Sequence, residues 1–267
     1  MTIGTLEFET HLKGRGLSPH TIKAFTSDLK QLIEFAGGRD ISEDLISDWF
    51  RFMKDKGLKN KSLARKATSI SAYSRLFGLG WKIPRVRAEK KLPAALSEVE
   101  ARAIIQAAGT TRDPERNSLI VELMLRCGLR SAELLSVRRR DIEFDGEMAY
   151  IRVAGKGSKE RRVPVVHKHL ITAIRRYTRG LDQDELLFPM SSRNLRKIVS
   201  RLGRIAGIEK RVHPHMLRHT AATIYLRRGA NIETVRRVLG HESLATTQKY
   251  LALTDSDVAR DISRASW

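Results

Sequence analysis

The stretch Ile83–Pro93, IPRVRAEKKLP, does most to limit what this chain can become. It carries prolines near both ends, is strongly charged and holds few apolar residues, so it neither continues a helix nor supplies a core. We read residues 83–94 as a linker that divides the 267-residue chain into two folding units. Before it, residues 1–82 read as short helices. Ile22, Phe25, Leu29, Leu32, Ile33 and Phe35 recur at helical spacing, as do Leu45, Ile46, Trp49, Phe50 and Met53. Lys61 to Phe77 repeats the pattern with Leu63, Ala67, Ile70, Tyr73 and Leu76. Ser18-Pro19 and Ser42 supply helix starts, and Gly37-Gly38 and Gly57 supply stops.

Residues 95–252 carry a different mixture. Ser97 with Glu100 three residues on forms a capping box at a helix start, and an apolar helix is expected from about Asn117 to Arg126. Asp145-Gly146 is a hairpin signal, followed by Met148, Tyr150, Ile151 and Val153. A second turn at Gly155–Glu160 leads into Val163, Val165 and Val166, so a three-stranded antiparallel sheet is expected. Helical patterns then resume. The fold class is therefore mainly α with a small antiparallel β-sheet: a helical first domain and an α+β second one. Residues 253–267 form a tail carrying Val258, Ile262 and Trp267.

Charge narrows the function. The chain has 50 Lys+Arg against 30 Asp+Glu, a net charge of +20. A field of that sign attracts polyanions, and nucleic acid is the commonest large one. The basic residues are spread along the chain rather than gathered beside an apolar anchor, which speaks against a membrane surface. Met1–Lys90 holds 17 basic and 10 acidic residues and the remainder 33 and 20, so both halves are basic and a clamp on duplex DNA is expected. No run of about 18 apolar residues is present to span a membrane, and the N-terminus lacks the apolar block of a signal peptide. Cys127 is the only cysteine, so no internal disulfide can form and a cytoplasmic setting fits.

Four short stretches could carry chemistry. In Cys127–Leu135, CGLRSAELL, glycine ends one helix and another starts near Ser131. Arg130 then stands at a helix entrance that favours anions, with Glu133 placed to hold it; a plain surface Arg–Glu pair is the alternative. Lys156 sits between two glycines that would let the backbone approach a ligand closely, but a lysine in such a turn is usually just solvated. In Val212–Thr220, VHPHMLRHT, Pro214 suits a first helical turn and puts His215 and Arg218 on one face. Together they could embrace a phosphate. The same histidines, with His219 four after His215, could instead hold a metal or bond a helix end, though no Cys or HExxH carboxylate accompanies them. Finally, Gly240 closes a helix, His241 follows in a loop, and Tyr250 lies in the next helix, where burial in a core is the simpler reading. Taken together, two arginines, a lysine, two histidines and a tyrosine are the groups that metal-free attack on a phosphodiester needs.

In this order, GLRSAELL, GKGSKER, HPHMLRHTAAT, LGH and TTQKY resemble the tyrosine recombinases of the phage integrase family, especially the Xer type. The resemblance implies a helical, SAM-like core-binding domain over 1–82 and a catalytic domain over 95–252. It implies Tyr250 as nucleophile forming a 3′-phosphotyrosyl bond, Arg130 and Arg218 on the non-bridging oxygens, and Lys156 as acid for the 5′-oxygen. It further implies His215 and His241 as phosphate partners or proton carriers, and Glu133 and His219 as supports. No metal, ATP or other cofactor is implied. Double-stranded DNA is the implied partner, exchanged through a four-way junction, with a tetramer linked through the C-terminal tail. Resolution of chromosome dimers at a dif-like site, on the nucleoid, is the implied task. Two other functions stay open: a helix-turn-helix regulator built on Thr220–Gly240, and a nicking-closing enzyme of the type IB topoisomerase kind.

Overall fold

The structure is a computed structural model that describes residues 4–87, 94–154, 160–240 and 247. The chain divides into two compact units, Met1–Lys91 and Leu92–Trp267.

The first unit holds α1 (Thr5–Gly14), α2 (Pro19–Ala36), α3 (Glu43–Asp55) and α4 (Asn60–Leu76). The expected punctuation is present. The Ser18 hydroxyl accepts from the Thr21 N–H at 3.2 Å, with Pro19 at the first helical position, and Gly37 ends α2 in the left-handed region. Ser42 caps α3 in the same way, accepting from the Leu45 N–H. The apolar stripes of the four helices meet in one core of Phe8, Leu29, Leu32, Ile46, Trp49, Ile70 and Tyr73, and Phe8 meets Tyr73 edge-on at 5.2 Å. The stretch expected as linker starts against this unit: Ile83 and Val86 pack on its core.

A polar cluster is buried beside that core. Asp28 of α2 is fully buried and faces α4, where Lys66 Nζ donates to it at 3.0 Å and the Ser69 hydroxyl at 2.7 Å. Arg65 donates to it from the rim. Lys66 is itself 3% exposed, and its ammonium lies 5.3 Å from the Trp49 ring centroid. A buried carboxylate survives only when its lone pairs are met, so this cluster fixes the register of α4 on α2.

The second unit begins with α5 (Glu98–Gly109), whose Ser97–Glu100 capping box is complete. Then comes α6 (Pro114–Arg126), which starts three residues earlier than expected because Pro114 takes the first helical position. Residues Leu119–Leu125 are buried all round, which makes α6 the central helix of this unit. After α7 (Ser131–Ser136) the sheet follows: β1 (Ile142–Asp145), β2 (Met148–Ala154) and β3 (Glu160–Val165), antiparallel in the order β1-β2-β3. Ile142 pairs with Ile151 and Ile151 with Val163, so one face of the sheet is apolar and buried. Between the paired Asp145 and Met148 the loop residues are Gly146 and Glu147, with Gly146 at φ 55°. That conformation needs glycine, which places the turn one residue later than the Asp-Gly signal suggested. Among the described residues four helices follow: α8 (Lys168–Tyr177), α9 (Ser192–Ile205), α10 (Pro214–Arg227) and α11 (Ile232–Leu239). No helix among the described residues is long and apolar enough to cross a membrane.

Replacing Asp28 by Ala leaves the buried Lys66 ammonium with the Gln31 amide oxygen but no counter-charge. Denaturant unfolding of the variant is expected to show a loss of about 3 kcal/mol, whereas Arg65→Ala, removing a half-exposed partner, costs well under half of that.

Candidate active site

The site is assembled where α6, α7, β3, α10 and α11 end or begin. After Cys127, Gly128 turns the chain at φ 63°. A β-carbon there would stand 2.3 Å from Leu239 Cδ2, so only glycine lets the end of α6 close on the end of α11. Cys127 itself is buried, which pushes its thiol up to about 12 and leaves it an inert packing group.

Arg130 occupies the position just before α7, as its sequence suggested. The anion at that helix start is internal: the Glu133 carboxylate accepts the Arg130 backbone N–H at 2.8 Å and the Arg130 Nη1 at 2.6 Å. This is therefore no surface pair, for Glu133 is 5% exposed. Arg161 of β3 forks onto the same carboxylate, with Nη1 at 2.7 Å and Nη2 at 3.0 Å. Arg218 of α10 places Nη1 3.8 Å away. Burial acting alone would raise the Glu133 carboxyl, but the bonds from Arg161 and the Arg130 backbone outweigh it and bring it down from 4.5 to about 2.

The same three guanidinium groups reach the end of α11. Arg161 Nε donates to the Val238 carbonyl at 2.9 Å, Arg218 Nη2 to Leu239 at 2.5 Å, and Arg130 Nη2 to Gly240 at 2.6 Å. Arg218 Nη1 also donates to the Gly128 carbonyl at 2.6 Å, and this side chain is 2% exposed. Gly240 ends α11 in the left-handed conformation expected of it, and a β-carbon there would come within 2.8 Å of the Arg161 guanidinium.

The three histidines of HPHMLRH separate into two roles. His213 is the N-cap of α10: its Nδ1 accepts from the Met216 N–H at 3.1 Å. Burial, helped by Arg211, lowers its pKa, which suits a ring nitrogen that must stay unprotonated to accept. His215 is exposed one turn before the buried Arg218, and its ring meets that of His219 at 4.0 Å. Among the described residues no three His, Cys, Asp or Glu side chains are grouped to hold a metal. Lys156, His241 and Tyr250 lie outside the described residues.

Arg130 and Glu133 are thus brought together as their spacing suggested, Arg218 joins them from α10, and Arg161 was missed. A signal for it exists. Arg161 stands two residues before Val163 and four before Val165, both buried, so strand alternation turns it inward. An arginine on the inner side of a strand needs an internal anion. Three cations around one carboxylate leave a surplus of positive charge and forked donors suited to a phosphodiester.

The low Glu133 pKa has a pH consequence. A depressed carboxyl contributes stability that is present above its ordinary value of 4.5 and lost as pH falls toward about 2. Acid unfolding of the wild type should therefore carry a steep component in that window. In Glu133→Gln that component should disappear, and the protein should be less stable at neutral pH because three arginines then face no carboxylate.

Comparison with known proteins places these features. A family model described as "Phage integrase family" matches residues 94–257, and one described as "Phage integrase, N-terminal SAM-like domain" matches residues 6–77. Tyrosine recombinase XerA of Thermococcus kodakarensis is 34% identical, across 93% of this chain and 90% of that protein. Tyrosine recombinase XerC of Corynebacterium glutamicum is 31% identical, across 94% and 87%. Among solved structures, the XerH site-specific recombinase bound to a palindromic difH substrate superposes with a TM-score of 0.78 at 20% identity, covering 97% of this chain and 84% of that one. A crystal structure of XerA recombinase matches with a TM-score of 0.55 at 28% identity, covering 98% of both chains.

Proposed function

This chain belongs to the phage integrase family and is a tyrosine recombinase, an enzyme that cleaves and rejoins DNA in site-specific recombination; from that premise we propose how its residues divide the work. Tyr250 attacks the scissile phosphate, and a 3′-phosphotyrosyl bond forms as the 5′-oxygen leaves. Arg130 and Arg218 hold the non-bridging oxygens, where charge grows in the transition state. Lys156 delivers the proton that the leaving 5′-oxygen takes up. His215 serves as base or phosphate donor, and His241 adds a hydrogen bond to the phosphate. Glu133 and His219 hold the groups beside them. The phosphotyrosyl bond keeps the energy of the broken phosphodiester, so rejoining by a partner strand's 5′-hydroxyl draws on neither ATP nor a metal.

The observation that carries this reading is the convergence of Arg130 from α7 and Arg218 from α10 on one buried carboxylate. The XerH match, to a protein bound to difH, supports the finer proposal that the target is dif-like and the task is resolving chromosome dimers. We further propose that four protomers assemble on DNA through the tail at 253–267, on the nucleoid in the cytoplasm. Both basic units would contact DNA phosphates, so affinity should fall with salt at a log–log slope of about −0.9 per phosphate neutralised.

The test is to trap covalent protein–DNA adducts across the host chromosome, sequence their ends, and rebuild the recovered site as a nicked suicide duplex. Wild type should form an adduct on it, Tyr250→Phe none, and a chelator should change neither result. Loss of cleavage with the chelator, or adduct formation by Tyr250→Phe, would contradict the proposed chemistry. Exchange of strands between two labelled duplexes distinguishes recombination from simple nicking and closing.

A further inference from the structure

Arg161 has no part in the division of labour above, yet its guanidinium is committed to the inside of the site. Nε, Nη1 and Nη2 are all engaged, two of them on Glu133 and one on the Val238 carbonyl. Its side chain is 14% exposed, between the 39% of Arg130 and the 2% of Arg218, and it is the one that forks both Nη groups onto Glu133. To turn toward a phosphate it would have to leave Glu133, whereas Arg130 keeps an exposed edge while bonded. The two arginines therefore differ in role although they share a carboxylate.

The end of α11 sharpens the difference. Val238, Leu239 and Gly240 are consecutive carbonyls that receive, in order, Arg161, Arg218 and Arg130. Carbonyls at a helix end lack partners within the helix and carry its negative pole, equivalent to roughly half a charge. The three arginines are thus drawn to two negative features at once, Glu133 and this helix end. With all three present, cation remains in excess. With Arg161 removed, Glu133 and the helix pole cancel most of the charge on the other two.

We propose that Arg161 is a positioning residue for DNA cleavage: by holding Glu133 in a fork and capping Val238, it keeps the charge of Arg130 and Arg218 available to the scissile phosphate and fixes the end of α11, after which His241 follows directly in the chain. This rests on the reading that Arg130 and Arg218 bind that phosphate.

The test compares rates of adduct formation by the full chain on the nicked suicide duplex carrying the recovered site, at saturating protein. Wild-type cleavage tests the recombinase reading; the ratios of variants to wild type test Arg161. Arg161→Met should cleave roughly a hundred-fold more slowly, the order of loss for removing one element of a preorganised charge site. Adding Glu133→Gln to it removes the charge that Arg161 offsets, and the double variant should recover about ten-fold of the loss. Arg161→Lys, which keeps the charge without the fork, should fall between Arg161→Met and wild type. A residue that only stabilises the fold gives no such recovery, because the second substitution removes a further internal bond. Arg161→Met at the wild-type rate, or a double variant no faster than Arg161→Met, overturns the proposal.

Discussion

The catalytic unit depends on one buried carboxylate. Glu133 takes bonds from the Arg130 backbone and side chain and from Arg161, and lies 3.8 Å from Arg218. Those three arginines come from α7, β3 and α10, elements far apart in the chain, and each also reaches a carbonyl at the end of α11. A carboxylate with a single partner at this depth would cost several kcal/mol. Shared among three guanidinium groups, it becomes the point at which four elements are registered. The same arrangement explains how Arg130 and Arg218, the two arginines proposed to bind phosphate, can be brought close without pushing one another apart.

Glycine makes that closeness possible at two places. Gly128 allows the end of α6 against Leu239, and Gly240 leaves room for the Arg161 guanidinium. Both adopt positive φ, so a side chain would add strain to the clash. In the first unit Asp28 plays a comparable part, buried between α2 and α4 with Lys66 and Ser69 as partners. Each unit therefore uses an internal carboxylate to hold its elements in register.

Local features were legible in the sequence wherever one residue type has one physical use. Ser18, Ser42 and Ser97 cap the helices their positions foretold, Gly37 and Gly240 end theirs, and the alternating stretch after Met148 is the middle strand of the sheet. The Arg130–Glu133 pair was legible because helical spacing alone brings it together. Asp28 and Lys66 were not, since both sit in helices where a charged residue ordinarily faces solvent. Arg161 was hidden among the basic residues of Glu160-Arg161-Arg162, where only strand alternation separates the inward arginine from the outward one. Of the uses left open for the histidines of HPHMLRH, bonding a helix end holds for His213, which caps α10.

Charge at Glu133 is the quantity on which this account turns, and it can be read directly. Carbon-detected NMR titration of the side-chain carboxyls in the DNA-free protein should show Glu133 still ionised well below pH 4, with a midpoint near 2. A midpoint near its ordinary 4.5 would mean that the arginines do not hold the carboxylate, and the site as described here would be wrong.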